Sequence, residues 1–276
     1  MKGPYGLELN DGCKTCKLKT ASFFCQLSPA AVKDFDAIKS TSTYPKGAFL
    51  FMEKQDARGV FILCEGDVKL SISSSEGKTL IMRVAKSGEI LGLMAGMSGG
   101  PYEVTAETIR PCQVAFVRRE DFQRFVAKYP EASQGVARQM TMQYQAACEQ
   151  LHTVGLSASA QEKLARLLLG WSAGSQQTKE GTRIKMPLTH EEIAEFIGIT
   201  RETVTRTLSD FKVRHLVAIQ GSTMTIPDRA ALETYAHVWK CSHRSAAQRR
   251  GNAKYRSCLN HLQAGTRSRK NCRVGP

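Results

Sequence analysis

Between Leu188 and Phe211 the chain reads LTHEEIAEFIGITRETVTRTLSDF, two short apolar-periodic segments split by a single glycine. Few folds accommodate that pattern. Ile193, Phe196 and Ile197 mark one face of a first helix. Gly198 permits a turn, because a residue without Cβ enters left-handed backbone freely. Thr200 is placed to cap a second helix. On it Val204, Leu208 and Phe211 recur at spacings of four and three and so face a core. The opposite face carries Arg201, Glu202, Thr205, Arg206 and Ser209. Arginine bonds O6 and N7 of guanine together, and glutamate accepts from N4 of cytosine, so this face suits base edges in a major groove. An ordinary solvated helix would show the charges without the turn glycine, the cap and the polar face in this order. The expectation is a helix-turn-helix on double-stranded DNA, with Thr189, Thr200, Arg201, Glu202, Thr205, Arg206 and Ser209 as the contacting residues. His190, beside them, is expected to cap the first helix or touch a phosphate.

The flanks extend this unit. Leu164, Leu167, Leu168 and Trp171 give Ser159–Trp171 a supporting helix, and Arg183–Met186 reads as a short strand. Leu216–Ile219 and Met224–Ile226 read as two strands joined at Gly221-Ser222, a wing whose backbone contacts fix position rather than sequence. Upstream, from Thr43 to Val117, short apolar runs such as Val60-Phe61-Ile62-Leu63 and Val114-Ala115-Phe116-Val117 alternate with Gly-centred turns. Many short strands at this spacing predict a β sandwich or jelly roll. Between the two units, Met140, Tyr144, Ala147, Leu151 and Val154 repeat at four, three, four and three, a heptad seam on a long helix. It either pairs with a second copy of the chain or packs on the chain's own roll, and the dimer is the favoured reading. Gly155 and Ser157 offer a hinge. The predicted class is α+β: a cysteine-bearing arm over 1–28, a jelly-roll sensor domain over 29–120, a dimerisation helix region over 121–156, a winged helix-turn-helix over 157–236 and a basic tail over 237–276.

The formal charge of the 276 residues is +14. Ten Lys or Arg and no Asp or Glu lie between Lys240 and Arg273, so the tail carries most of it and the motif, not the charge, points to DNA. No apolar run approaches the roughly 18 residues that span a membrane, and no signal stretch opens the chain, so a cytoplasmic protein is expected. The six histidines, His152, His190, His215, His237, His243 and His261, all fall outside the roll, which argues against a metal-dependent jelly-roll enzyme. Cys13 and Cys16 form a CxxC with Cys25 following, soft ligands that suit zinc or an iron–sulfur cluster. Cys64 and Cys148 read as packing residues.

In wording as well as order, the chain resembles the Crp/Fnr family of bacterial transcription regulators over about residues 20–235. Thr200-Arg201-Glu202-Thr203-Val204-Thr205-Arg206 is very close to the family's recognition helix, and Gly66-Asp67-Val68-Lys69-Leu70 and Gly88-Glu89-Ile90-Leu91-Gly92 match turns of its sensor roll. The resemblance implies a homodimer on a near-palindromic promoter site, acting on RNA polymerase, with Arg201, Glu202 and Arg206 reading bases. Relatives that bind cyclic AMP hold its phosphate with an arginine followed by Ser or Thr; Tyr102 and Glu103 stand in those places, which argues against a cyclic nucleotide unless Arg83 or Arg110 serves in another pose. Oxygen-sensing relatives join N-terminal cysteines to one distant cysteine. By that likeness Cys13, Cys16, Cys25 and Cys112 are the candidate ligands of a 4Fe–4S cluster. A thiol switch, a zinc clip and inert cysteines remain open beside it. The competing class is a cyclic-nucleotide-responsive module acting on a protein partner.

Overall fold

The computed structural model describes residues 3–7, 27–173 and 175–236. Cys13, Cys16 and Cys25, and the basic tail over 237–276, lie outside the described residues.

Eight strands form the roll: β1 (Lys39–Tyr44), β2 (Phe49–Phe51), β3 (Gly59–Glu65), β4 (Asp67–Ser73), β5 (Thr79–Lys86), β6 (Ile90–Leu91), β7 (Thr105–Thr108) and β8 (Cys112–Arg118). One sheet has the order β1-β8-β3-β6, the other β2-β7-β4-β5, and every pairing is antiparallel. That interleaved order is a jelly roll. The apolar run of β3 follows from burial on both faces. Phe61 and Leu63 point between the sheets with Phe51, Val68, Leu91 and Val114, whereas Val60 and Ile62 point outward into helices. Those helices are α1 (Pro29–Ile38), α3 (Arg119–Lys128) and the first turns of α4 (Pro130–Leu151), which bring Phe35, Phe122, Phe125 and Val136 onto the outer sheet. Pro130 starts α4 where its missing N–H costs nothing, so α3 and α4 stay separate helices. A short α2 (Leu93–Ser98) closes this layer.

α4 is tied to the roll by buried amides. Gln139 donates to the Ile90 carbonyl at 2.9 Å, and Gln150 donates to that of Ile81 at 3.0 Å. The heptad residues divide between two surroundings. Met140 packs against the roll's own core and Ala147 faces a cavity in it, while Tyr144 and Leu151 are 71% and 65% exposed. Val154 is not on α4: the helix ends at Leu151, and His152–Leu156 form a π turn in which Val154 approaches Gly198. Cys148, expected to pack, is exposed on the same side as Tyr144 and Leu151, whereas Cys64, with the same expectation, does pack against a core.

Beyond the π turn come α5 (Ala160–Ser172), β9 (Gln176–Thr178), β10 (Gly181–Lys185), α6 (His190–Ile197), α7 (Arg201–Val213), β11 (Ala218–Gln220), β12 (Thr223–Ile226) and α8 (Arg229–Tyr235). The strands make one sheet, β11-β12-β10-β9, with the wing's tip at Gly221. Relative to the sequence reading, the strand at Arg183–Met186 starts earlier, at Gly181, and the first wing strand starts later, at Ala218. Leu216 and Val217 are instead buried beneath α7 with Leu164, Leu168, Ile193, Ile197, Val204, Leu208 and Phe211.

Candidate nucleic-acid interface

Local chemistry fixes the two helices of the candidate site. Thr189 and Glu192 form a reciprocal cap on α6: the Glu192 amide donates to Thr189 Oγ1 at 3.3 Å, and the Thr189 amide donates to Glu192 Oε2 at 2.9 Å. His190 therefore does not cap; its Nδ1 sits 3.0 Å from Thr205 Oγ1 on α7, while the Thr205 hydroxyl donates to the Arg201 carbonyl. Gly198 follows α6 at φ 65°, left-handed backbone that turns the chain into α7. Thr200 then accepts from the Thr203 amide at 3.3 Å as N-cap. Each cap stabilises its helix by about 1 kcal/mol.

α7 buries Val204, Thr207, Leu208 and Phe211 and exposes Arg201, Glu202, Thr205, Arg206 and Ser209. Thr205 and Ser209 spend their hydroxyl protons on carbonyls one turn back, at 3.0 and 2.9 Å. Arg201, Glu202 and Arg206 form no ion pair or side-chain hydrogen bond with other described residues, so their charged groups stay available to a partner. Thr189 is exposed, but its hydroxyl also donates to Glu192 Oε2 at 3.0 Å. At the far end of α7, Arg214 bonds Asp210 and the Tyr235 hydroxyl, and Phe211 meets the Tyr235 ring at 5.5 Å. That places α8 as a brace beneath α7. The sequence reading missed α8, although Asp228, which accepts from the Ala230 and Ala231 amides, was a usable start signal.

The roll holds a cavity of about 280 Å³ between its β4–β5 wall and α4, lined mainly by Leu70, Met82, Leu91, Val104, Met140 and Ala147. Its polar groups are Arg83, Glu103, Gln143 and Tyr144. Arg83 is ion-paired with Glu89, and Arg110 with Asp67. Tyr102 turns inward: it is buried, stacks on Phe51 at 4.0 Å and donates to the Gly59 carbonyl at 2.8 Å, and burial pushes its phenol above the ordinary range. Cys112 lies at the buried start of β8. Its thiol donates to the Arg110 carbonyl at 3.1 Å, and burial pushes its pKa up to about 11. Of the four candidate cluster ligands, Cys112 alone is among the described residues. Among the described residues no group of three His, Cys, Asp or Glu is placed to hold a metal ion.

Several described contacts join the halves. α6 packs on β5, and Lys69 Nζ of β4 reaches Glu192 Oε1 at 3.1 Å and Glu107 Oε2 at 3.2 Å. No described helix is long and apolar enough to cross a membrane.

Residues 41–129 match the cyclic nucleotide-binding domain family, and residues 162–235 match the Crp-like helix-turn-helix domain family. The transcriptional activatory protein AadR of Rhodopseudomonas palustris is 27% identical over 226 residues, 81% of this chain and 93% of that protein. The nitrogen fixation regulation protein FixK of Bradyrhizobium diazoefficiens is 24% identical over 225 residues, again 81% of this chain and 93% of its own length. Among solved structures, FixK2 from Bradyrhizobium japonicum superposes with a TM-score of 0.64 at 21% identity, covering 72% of this chain and 97% of that one. Those proteins are regulators rather than enzymes. With a jelly roll, a long connecting helix and a capped helix-turn-helix in the family's order, the chain belongs to the Crp/Fnr family of transcription regulators.

Proposed function

We propose that the chain acts as a homodimer that reads a near-palindromic promoter site through α7 and, as its family implies, acts there on RNA polymerase in the cytoplasm. The carrying observation is the exposed trio Arg201, Glu202 and Arg206, unpaired among the described residues, on a helix whose other face is locked into a core. In this reading Thr205 and Ser209 line the groove, and Thr189, Thr200 and the wing lie near phosphates. The exposed side of α4, with Ala137, Thr141, Tyr144, Cys148 and Leu151 at heptad spacing, forms the pairing surface; Met140 and Ala147 flank it from the roll side. Two copies so joined set their reading helices about 34 Å apart, one turn of the duplex.

The cavity in the roll is the place for a signal, and its chemistry opposes a cyclic nucleotide. A phosphodiester would meet the Glu103 carboxylate and an arginine already neutralised by Glu89. An iron–sulfur cluster is not part of the proposal, since Cys13, Cys16 and Cys25 lie outside the described residues. A nucleotide-responsive module acting on another protein is not favoured, because a complete DNA-binding domain follows the roll.

Selection from random duplexes is expected to return two inverted half-sites, and anisotropy titration is expected to show Arg206→Ala weaker by about 1–3 kcal/mol on that site. Equal weakening on selected and random DNA removes the base-reading role.

A further inference from the structure

The β4–β5 ladder is a wall with two different faces. Leu70 pairs with Arg83, and both line the cavity. One residue away, Lys69 pairs with Val84, and this pair faces the helix-turn-helix: Val84 packs against its core, and Lys69 bonds Glu192. Alternate side chains of a strand point to opposite faces, so one strand thickness separates the cavity from the DNA-binding half. On the neighbouring strand Glu107 stands opposite Lys69 and shares its ammonium. The pairing is well covered, with the Lys69 side chain 14% and that of Glu192 18% exposed. Glu192 does double duty, since its other oxygen caps α6. A second tie lies close by: Gln150 donates both to the Ile81 carbonyl of β5 and to the Phe196 carbonyl of α6.

We infer that Lys69 is a positioning residue for DNA reading, the cation through which the cavity wall holds α6 and thereby sets the orientation of α7. The inference rests on the operator-reading function proposed above. With α6 seated on β5, Arg201, Glu202 and Arg206 are exposed, and we take this seated state as the one that reads DNA. Without Lys69, the Glu107 and Glu192 carboxylates confront each other with no cation between them, and Glu191 and Glu195 add to the negative field on α6. The helix-turn-helix then gains orientational freedom that DNA binding must remove.

The test compares wild type, Lys69→Met, Lys69→Arg, Glu192→Gln and the Lys69→Met/Glu192→Gln double variant. Each is titrated with selected operator and with random duplex, and the free proteins are digested with protease at the His152–Leu156 turn. Lys69→Met is expected to lose about tenfold on the operator, within the usual range of coupling between sites, and to be cut faster at the turn. Lys69→Arg is expected to recover most of the affinity. Glutamine preserves the cap, so Glu192→Gln reports the lost charge alone and carries the test should Lys69→Met unfold. The double variant is expected to bind no worse than the weaker single one, because both remove the same contact. Losses that multiply in the double variant overturn the inference, as does operator affinity within twofold of wild type in both single variants. A wild type with no operator preference instead sinks the operator reading; the cleavage arm then still decides the contact, and unchanged cutting in both single variants overturns it.

Discussion

At Gly66 the backbone takes φ 115°, and the Cys112 thiol lies against it; a Cβ there would stand 2.3 Å from Sγ and 2.9 Å from Cα of Cys112. Replacement by alanine has to displace the start of β8 and also accept a disfavoured backbone angle. Gly66→Ala is expected to cost about 3 kcal/mol in a urea titration. Gly221→Ala is the control: it has φ 58° but nothing within 4 Å of the added methyl, so it is expected to cost about 1 kcal/mol. Individual residues were legible in the sequence where a local period determines their direction. Arg201, Glu202 and Arg206 were placed correctly on the outer face because Val204, Leu208 and Phe211 define the inner one. Lys69 and Gln150 were not legible. Their partners lie 123 and 46 positions away, and no local pattern marks a lysine in a strand as half-buried.

Among the elements, the clearest in advance were those with strong amphipathic contrast or continuous apolar runs, namely α5, α6, α7, β3 and β8. β1 was missed because its sequence, KSTSTY, is polar and mostly exposed, and its edge position is created by pairing with β8. α2 and α8 are too short for a period to emerge. On α4 the expected seam divides: Val154 falls beyond the helix, Met140 and Ala147 face the roll, and Tyr144 and Leu151 face outward. The exposed side gives a prediction. Tyr144→Asp with Leu151→Glu would set four carboxylates along a two-copy seam. The doubly substituted protein is expected to sediment as a monomer at concentrations where the wild type is a dimer, with helix content unchanged by circular dichroism. A dimer of undiminished strength would show that α4 is not the pairing surface.

In the whole molecule, no periodicity foretold that the same pair of strands would bound the cavity and seat the DNA-binding half, because that juxtaposition belongs to topology. The π turn at His152–Leu156 carries a related consequence. Each residue of helix advances the chain by about 100° of azimuth, so the length of this coupling sets the rotational phase of α7 about the α4 axis. Deleting Gly155, an exposed residue with open space around it, is expected to leave both folded halves intact by heat denaturation. Operator affinity is expected to fall to the level of random duplex in anisotropy titrations. The deletion would act like a slipped gear tooth: two sound reading heads would be turned out of step with the pitch of the duplex, and the twofold axis would double the error.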